Sequence, residues 1–506
     1  MSRPVQAANA RFEGLLRRLG EINDLEKAVE LLSWDEETKM PVSGADARAE
    51  QRATLSRLAH EALVSGELGE LLEELRPFEE EHDHDSFEAS VIRVTRRDRD
   101  RAARVPPELH AEISRQASRG YRGWLAAREA ADYSLFLPHL ERALDLVHRY
   151  VDCFPPEDDP YDVLLEDYEP GMKTAEVDIV FDRLKAELVP IIAAVGDQVD
   201  DSCLRGRFDS EAQRRFALVV LERWGMETAS WRLDDTVHPF ACSLASSDIR
   251  LATNFHEDGL AGVLSCLHEF GHGIYERQVD PAYVRTPLAH GVSSAFHESQ
   301  SRMWENLVGR NAATWRFFYP RLQEIFPDHF AGVPLETFHR ALNKIEPSVR
   351  RVDSDEVTYC LHIIVRFELE REMLAGTVGA ADLPEAFDAK MEEYLGVRPR
   401  TVVEGALQDV HWSEILYGYF PTYALGNVVS VQLWERAAAD LGDLEEQFAR
   451  GEFGPLREWL GEHVHRWGRV LRPPELLERA AGGPLDPEPY LAYLRRKLEQ
   501  TYGVVV

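Results

Sequence analysis

The sequence predicts a mainly α protein with one small β element, and three observations carry that prediction. Apolar residues recur at i, i+3 and i+4 through most of the 506 positions, the period of an amphipathic helix. One region alone, 229–254, has strand-like composition. No repeat, linker or low-complexity tract separates the segments, so the chain reads as a single domain over residues 1–506.

Taken in order, 10–32 repeats apolar residues at helical spacing (Phe12, Leu15, Leu16, Leu19, Ile22, Leu25, Ala28, Leu31), and the pattern stops before Met40-Pro41. A second helical stretch covers 45–72. Residues 76–105 are heavily charged and end in Arg96-Arg97-Asp98-Arg99-Asp100-Arg101, where mixed signs predict a solvated helix face rather than a nucleic-acid patch. Helical patterns follow at 107–131 and 135–150. Pro155-Pro156-Glu157-Asp158-Asp159-Pro160 and Tyr168-Glu169-Pro170-Gly171-Met172 are breaks, because proline and glycine cannot continue a helix there. Helical signals resume through residue 199 and again over 210–224. Within 229–254, Thr236-Val237-His238-Pro239-Phe240 and Asp248-Ile249-Arg250-Leu251-Ala252-Thr253 predict a short hairpin. Further helices are expected at 287–309, 335–342, 355–374, 385–394 and 426–441.

Composition excludes several functions. A formal net charge of -32 disfavours nucleic acid and acidic membranes, which both call for a basic face. No run approaches the roughly 18 apolar residues of a membrane span, and Met1-Ser2-Arg3-Pro4-Val5-Gln6-Ala7 lacks a signal-type apolar segment. Cytoplasmic residence is therefore expected. Cys153, Cys203, Cys242, Cys266 and Cys360 show no CxxC spacing, and their odd number predicts free thiols, with Cys266 as buried filler. Lysine occurs only at Lys27, Lys39, Lys173, Lys185, Lys344, Lys390 and Lys497. A surface rich in carboxylate and poor in lysine suggests a high-salt habitat, with arginine-biased codons as the competing explanation.

Residues 262–274 read Gly-Val-Leu-Ser-Cys-Leu-His-Glu-Phe-Gly-His-Gly-Ile, an HExxH motif inside an apolar run. Two histidines four residues apart lie on one helix face, so His268 and His272 can reach one metal ion, with zinc expected. Glu269 follows the first histidine, and its carboxylate stands beside such an ion as a general base. Structural histidines on a half-buried helix would give the same letters. The apolar stripe Ala261, Val263, Leu264, Leu267 and Phe270, with glycines on both sides of His272, favours the metal site. A catalytic zinc takes three protein ligands and keeps a fourth position for water. His297-Glu298-Ser299-Gln300-Ser301-Arg302 is the natural source of the third, with Glu298 as first choice and His297 as its rival.

The chain resembles the thermostable-carboxypeptidase-like metallocarboxypeptidases of family M32. The family's HPF motif matches His238-Pro239-Phe240, its HExxH matches residues 268–272, and its HES(Q) matches His297-Glu298-Ser299-Gln300. Its GxxQDxHW matches Gly405, Gln408, Asp409, His411 and Trp412. Similarity extends to Trp34-Asp35 and Met40-Pro41 near the start and Trp459-Leu460 near the end. Two motifs depart from the pattern: Ala252 stands where DxRxT has threonine, and Arg350 and Ser354 replace isoleucine and alanine of IRxxAD. Arg250 and Arg351, the arginines of those motifs, are retained.

The resemblance implies an elongated, almost wholly helical body with a deep groove, generally a homodimer. It implies release of single amino acids from peptide carboxyl ends, with broad specificity and poor action on proline. By the same resemblance His268, His272 and Glu298 hold zinc, cobalt can substitute, and Glu269 is the base. A donor for the developing oxyanion is then needed, and His411 and Tyr423 are the candidates, with Tyr419 an alternative. Arg351 is the first choice to anchor the substrate's terminal carboxylate and Arg250 the second, against a purely structural pairing of Arg351 with Asp353 or Asp355. His238 is a candidate substrate contact, and Asp248 is expected to pair with an arginine. An endopeptidase or dipeptidase on the same scaffold is the rival enzyme. A silent peptide-binding scaffold is the rival of another class, and the retention of Glu269 argues against it.

Overall fold

The structure, a computed structural model, describes residues 3–194 and 199–503. The chain folds into two compact units, one of Met1–Ala103, Cys203–Leu335 and Leu433–Gly482, the other of Arg104–Ser202, Glu336–Gln432 and Gly483–Val506. Both are helical.

Most predicted helices are present with shifted ends. The first runs Arg3–Thr38, longer at both ends than its apolar pattern. The stretch expected as one helix over 45–72 breaks into Ala45–Leu63 and Gly66–Glu74, because the Ser65 hydroxyl accepts from the Leu68 amide and starts a new helix there. The charged segment divides likewise into Arg76–Glu80 and Phe87–Arg104. Thr174–Ala194 is helical; the remainder of that expected helix, residues 195–198, lies outside the described residues. Pro421–Leu441 begins five residues before its apolar signal, at a proline whose missing N–H costs nothing in a first turn.

The β element, in the first unit, is larger than a hairpin. Strands β2 (Phe240–Ala245) and β3 (Asp248–Thr253) form the expected antiparallel pair, and β1 (Trp231–Asp235) adds to the far side of β3 in parallel, giving the order β1-β3-β2.

This sheet positions the HExxH helix, Ala261–Gln278. Two of its glycines make close approach possible on two sides. A Cβ at Gly273 would stand 2.5 Å from the Trp231 ring and 2.9 Å from the Ile249 side chain, so the helix lies directly on the sheet. A Cβ at Gly271 would stand 2.4 Å from both the Gln300 carbonyl oxygen and the Ser301 Cα, so helix Ser294–Arg302 crosses with backbone against backbone. Phe270 fills the space behind the motif, stacked on Trp231 at 5.5 Å and edge-on to Trp304 at 5.1 Å, with Trp224 completing the cluster. It is fully buried, and its truncation to alanine would cost about 3–5 kcal/mol. Beyond Arg302 the helix widens into a π-helical stretch, Met303–Val308, a form that recurs at functional sites.

Candidate active site

One turn of helix separates His268 from His272, and their Nε2 atoms point the same way. Each faces Oε2 of Glu298, at 3.8 Å and 3.5 Å respectively. The three donor atoms lie within 4.8 Å of one another. Two imidazoles and one carboxylate suit a divalent transition ion, and among the described residues no other group of this kind occurs. Burial pushes the His272 imidazole down to about 4, which keeps it in the neutral form a metal requires. Glu298 is buried, which alone would raise its pKa, but Arg302 and the two histidines outweigh burial and hold it well below the carboxylate range.

The outer face of each histidine is also engaged, as a metal site needs. His268 Nδ1 donates to Glu305 at 2.9 Å, and Arg302 bridges Glu305 (3.3 Å) and Glu298 (2.7 Å). His272 Nδ1 lies 2.7 Å from His297 Nδ1, whose Nε2 lies 3.0 Å from Glu276. His297, the rival third ligand, is thus occupied on both nitrogens and stands outside the donor group. Sequence reasoning missed Arg302, Glu305 and Glu276. Glu276 carried a signal, four residues beyond His272 on the same helix face; Glu305 did not, since its aim depends on the π stretch.

Glu269 is 5% exposed, and burial pushes its carboxyl up to about 7, near the value expected of a base that works at neutral pH. Cys266 is buried as expected, and no disulfide joins the five cysteines.

Elsewhere in the first unit, His238 is exposed in the bend before β2. Arg250 makes two hydrogen bonds to Asp248, at 3.0 and 2.9 Å, and its guanidinium covers the Trp34 ring at 4.3 Å. Asp248 does pair with an arginine, and that arginine is the second-choice anchor.

The remaining residues singled out in the sequence meet within the second unit. Arg351 pairs with neither Asp353 nor Asp355. Its Nε donates to Asp409 at 2.9 Å and its Nη1 to the Tyr359 hydroxyl at 2.9 Å, and the guanidinium lies over the Tyr423 ring at 5.1 Å. The partner of Asp353 is Arg350, at 3.1 Å. Asp409 is buried and also accepts from Arg366 Nε at 2.6 Å; the two guanidiniums overcome burial and keep it ionised far below the usual range. His411 Nε2 lies 3.2 Å from the Tyr423 hydroxyl, and burial, with Arg351 adding, pushes this imidazole down to about 3. Tyr419 packs edge-on to Tyr423 at 5.2 Å. Among the described residues no helix is long and apolar enough to cross a membrane.

Comparison with known proteins agrees with the motifs. The family model for carboxypeptidase Taq (M32) metallopeptidase matches residues 14–498. Thermostable carboxypeptidase 1 of Thermus thermophilus is 40% identical, over 98% of this chain and 99% of its own. The crystal structure of an M32 carboxypeptidase from Deinococcus radiodurans superposes with a TM-score of 0.93 at 40% identity, covering 98% of this chain and all of that one. A Pyrococcus furiosus carboxypeptidase structure gives 0.93 at 35% identity, over 96% and 98% of the two chains. With a match that runs nearly end to end and a donor group of the kind a metallopeptidase needs, the chain belongs to the carboxypeptidase Taq (M32) family and is a metallocarboxypeptidase.

Proposed function

We propose that the protein is a zinc-dependent carboxypeptidase that removes single residues from peptide carboxyl ends, with broad specificity and poor action on proline. The observation that carries the reading is the convergence of His268, His272 and Glu298 beside a buried Glu269. His268, His272 and Glu298 would hold the ion, with cobalt able to replace zinc. When bound, the ion polarises the scissile carbonyl and lowers the pKa of a water to about 7.

The chain's own residues supply the rest. Glu269 accepts a proton from the attacking water and passes it to the departing amine, roles that suit a carboxyl poised near 7. His411, kept neutral by burial, lies with Nε2 3.2 Å from the Tyr423 oxygen, and this pair is our choice of donor for the negative charge developing on the carbonyl oxygen. Arg351 is our choice for the terminal carboxylate: Asp409 and Tyr359 fix its plane through Nε and Nη1, and Nη2 carries no hydrogen bond among the described residues. Arg250 is second, because Asp248 already occupies its Nε and Nη2. His238 is exposed and suits a substrate contact. Free thiols and the charge of -32 fit a cytoplasmic enzyme, and the family resemblance suggests a homodimer.

The test is a panel of free-acid and amidated peptides incubated with the purified protein, with products weighed by mass spectrometry. Stepwise loss of single carboxyl-terminal residues, abolished by a chelator and restored by zinc, is expected. Internal cleavage would overturn the reading, and sedimentation at micromolar concentration decides the oligomer.

A further inference from the structure

The histidine of the HES(Q) motif is left without a role by the metal reading, and its contacts supply one. We infer that His297 and Glu276 are positioning residues that fix which ring nitrogen of His272 faces the metal donors; the inference rests on the metal reading of His268, His272 and Glu298. A neutral imidazole has one proton, and a nitrogen that takes a metal has none. Nε2 of His272 faces Glu298, so its proton belongs on Nδ1. That Nδ1 lies 2.7 Å from His297 Nδ1, and two protons do not fit between them. His297 must therefore accept at Nδ1 and carry its own proton on Nε2. There Glu276 Oε1 accepts at 3.0 Å, and the Gly291 amide, donating to the same oxygen at 3.0 Å, holds the carboxylate in place. One acceptor at the end of the chain thus sets two tautomers in series.

The arrangement spans two helices. His272 and Glu276 are one turn apart on the HExxH helix, and His297 reaches across from the helix that carries Glu298. The other histidine is served differently, since His268 donates straight to a carboxylate. A merely structural His297 would act as a flat ring against Tyr275, whose centroid is 5.3 Å away. That alternative makes a different prediction for a phenylalanine.

The measurement is zinc affinity by competition with a chromophoric chelator, with the absorption spectrum of the cobalt-loaded protein as a second readout and melting temperature as a check on folding. His297→Phe keeps the ring and removes the acceptor; Glu276→Leu attacks the same chain from its other end. Each is expected to weaken zinc binding about 10–100-fold and to alter the cobalt spectrum. Glu276→Gln, which retains an acceptor oxygen, is expected to restore most of the affinity. The double variant His297→Phe/Glu276→Leu is expected to be no weaker than either single one, because the residues act in series. Affinity within twofold of the parent in His297→Phe, or losses that add in the double variant, would overturn the proposal alone. A parent protein that takes up no zinc would overturn the metal reading and this proposal with it.

Discussion

Arg302 Nε donates to Oε1 of Glu298 at 2.7 Å, so the oxygen that faces both histidine Nε2 atoms is Oε2. The guanidinium therefore fixes the rotation of the carboxylate as well as neutralising it beside Glu305. Arg302→Met should remove the guanidinium partner of the buried Glu298, leave Glu305 with His268 and Arg310 only, and free Glu298 to turn. We expect zinc affinity to fall about 10–100-fold, with partial recovery in Arg302→Lys. Chelator competition checks this, and parental affinity in Arg302→Met would exclude the clamp.

Replacing the proposed base separates binding from turnover. Glu269→Gln should retain stoichiometric metal and lose kcat by ~10³-fold or more. Metal content by atomic emission and initial rates on one peptide decide it; near-parental turnover sinks the mechanism.

The same carboxyl predicts a pH effect on stability. Burial raises Glu269 in the folded state from 4.5 to about 7, so its contribution is fully present below pH 4.5 and is lost as pH rises through 7. Glu269→Gln should accordingly stabilise the metal-free protein at pH 8 by up to about 3 kcal/mol relative to the same comparison at pH 4.5. Denaturant titrations of both proteins at the two pH values test it. In the assay, activity should decline as pH falls through the value of Glu269, which a bound cation places below 7.

For carboxylate recognition the choice of variant matters. Asp409 is buried and shared by Arg351 and Arg366, so Arg351→Ala would leave it a single partner and cost about 3 kcal/mol of stability or more. Arg351→Lys keeps the charge and loses the planar fork, and is the cleaner probe. Turnover of free-acid peptides should fall on the order of 100-fold with little change in melting temperature. The parent should also be far slower on amidated peptides, and equal rates on the two forms would remove carboxylate anchoring.

Removing salt should destabilise the protein, since a charge of -32 is then unscreened. Melting temperature followed from low to molar potassium chloride would rise; a flat profile would leave codon bias as the account of the missing lysine.

Much of the site was legible because its elements are local. His268, Glu269 and His272 share one helical turn, and Glu298 sits in a polar cluster at the start of another helix. What could not be read depends on neighbours distant in sequence. Strand β1 is five residues long, and its pairing with β3 arises only once the chain returns. Glu305 reaches His268 through a π stretch that no local propensity announces. The structural alternative that the sequence offers for Arg351 is a pairing with the nearby Asp353 or Asp355, whereas its partner in the fold, Asp409, lies far along the chain. Helix ends moved for capping reasons, as at Ser65 and Pro421.

Gly271 gives the site its gauge. No side chain stands between the backbone bearing His268 and His272 and the backbone bearing Glu298, so main chain resting on main chain sets the gap that an ion must span. Exchanging a ligand would change the chemistry at constant bore, whereas one methyl group at residue 271 would widen the bore with every ligand still in place.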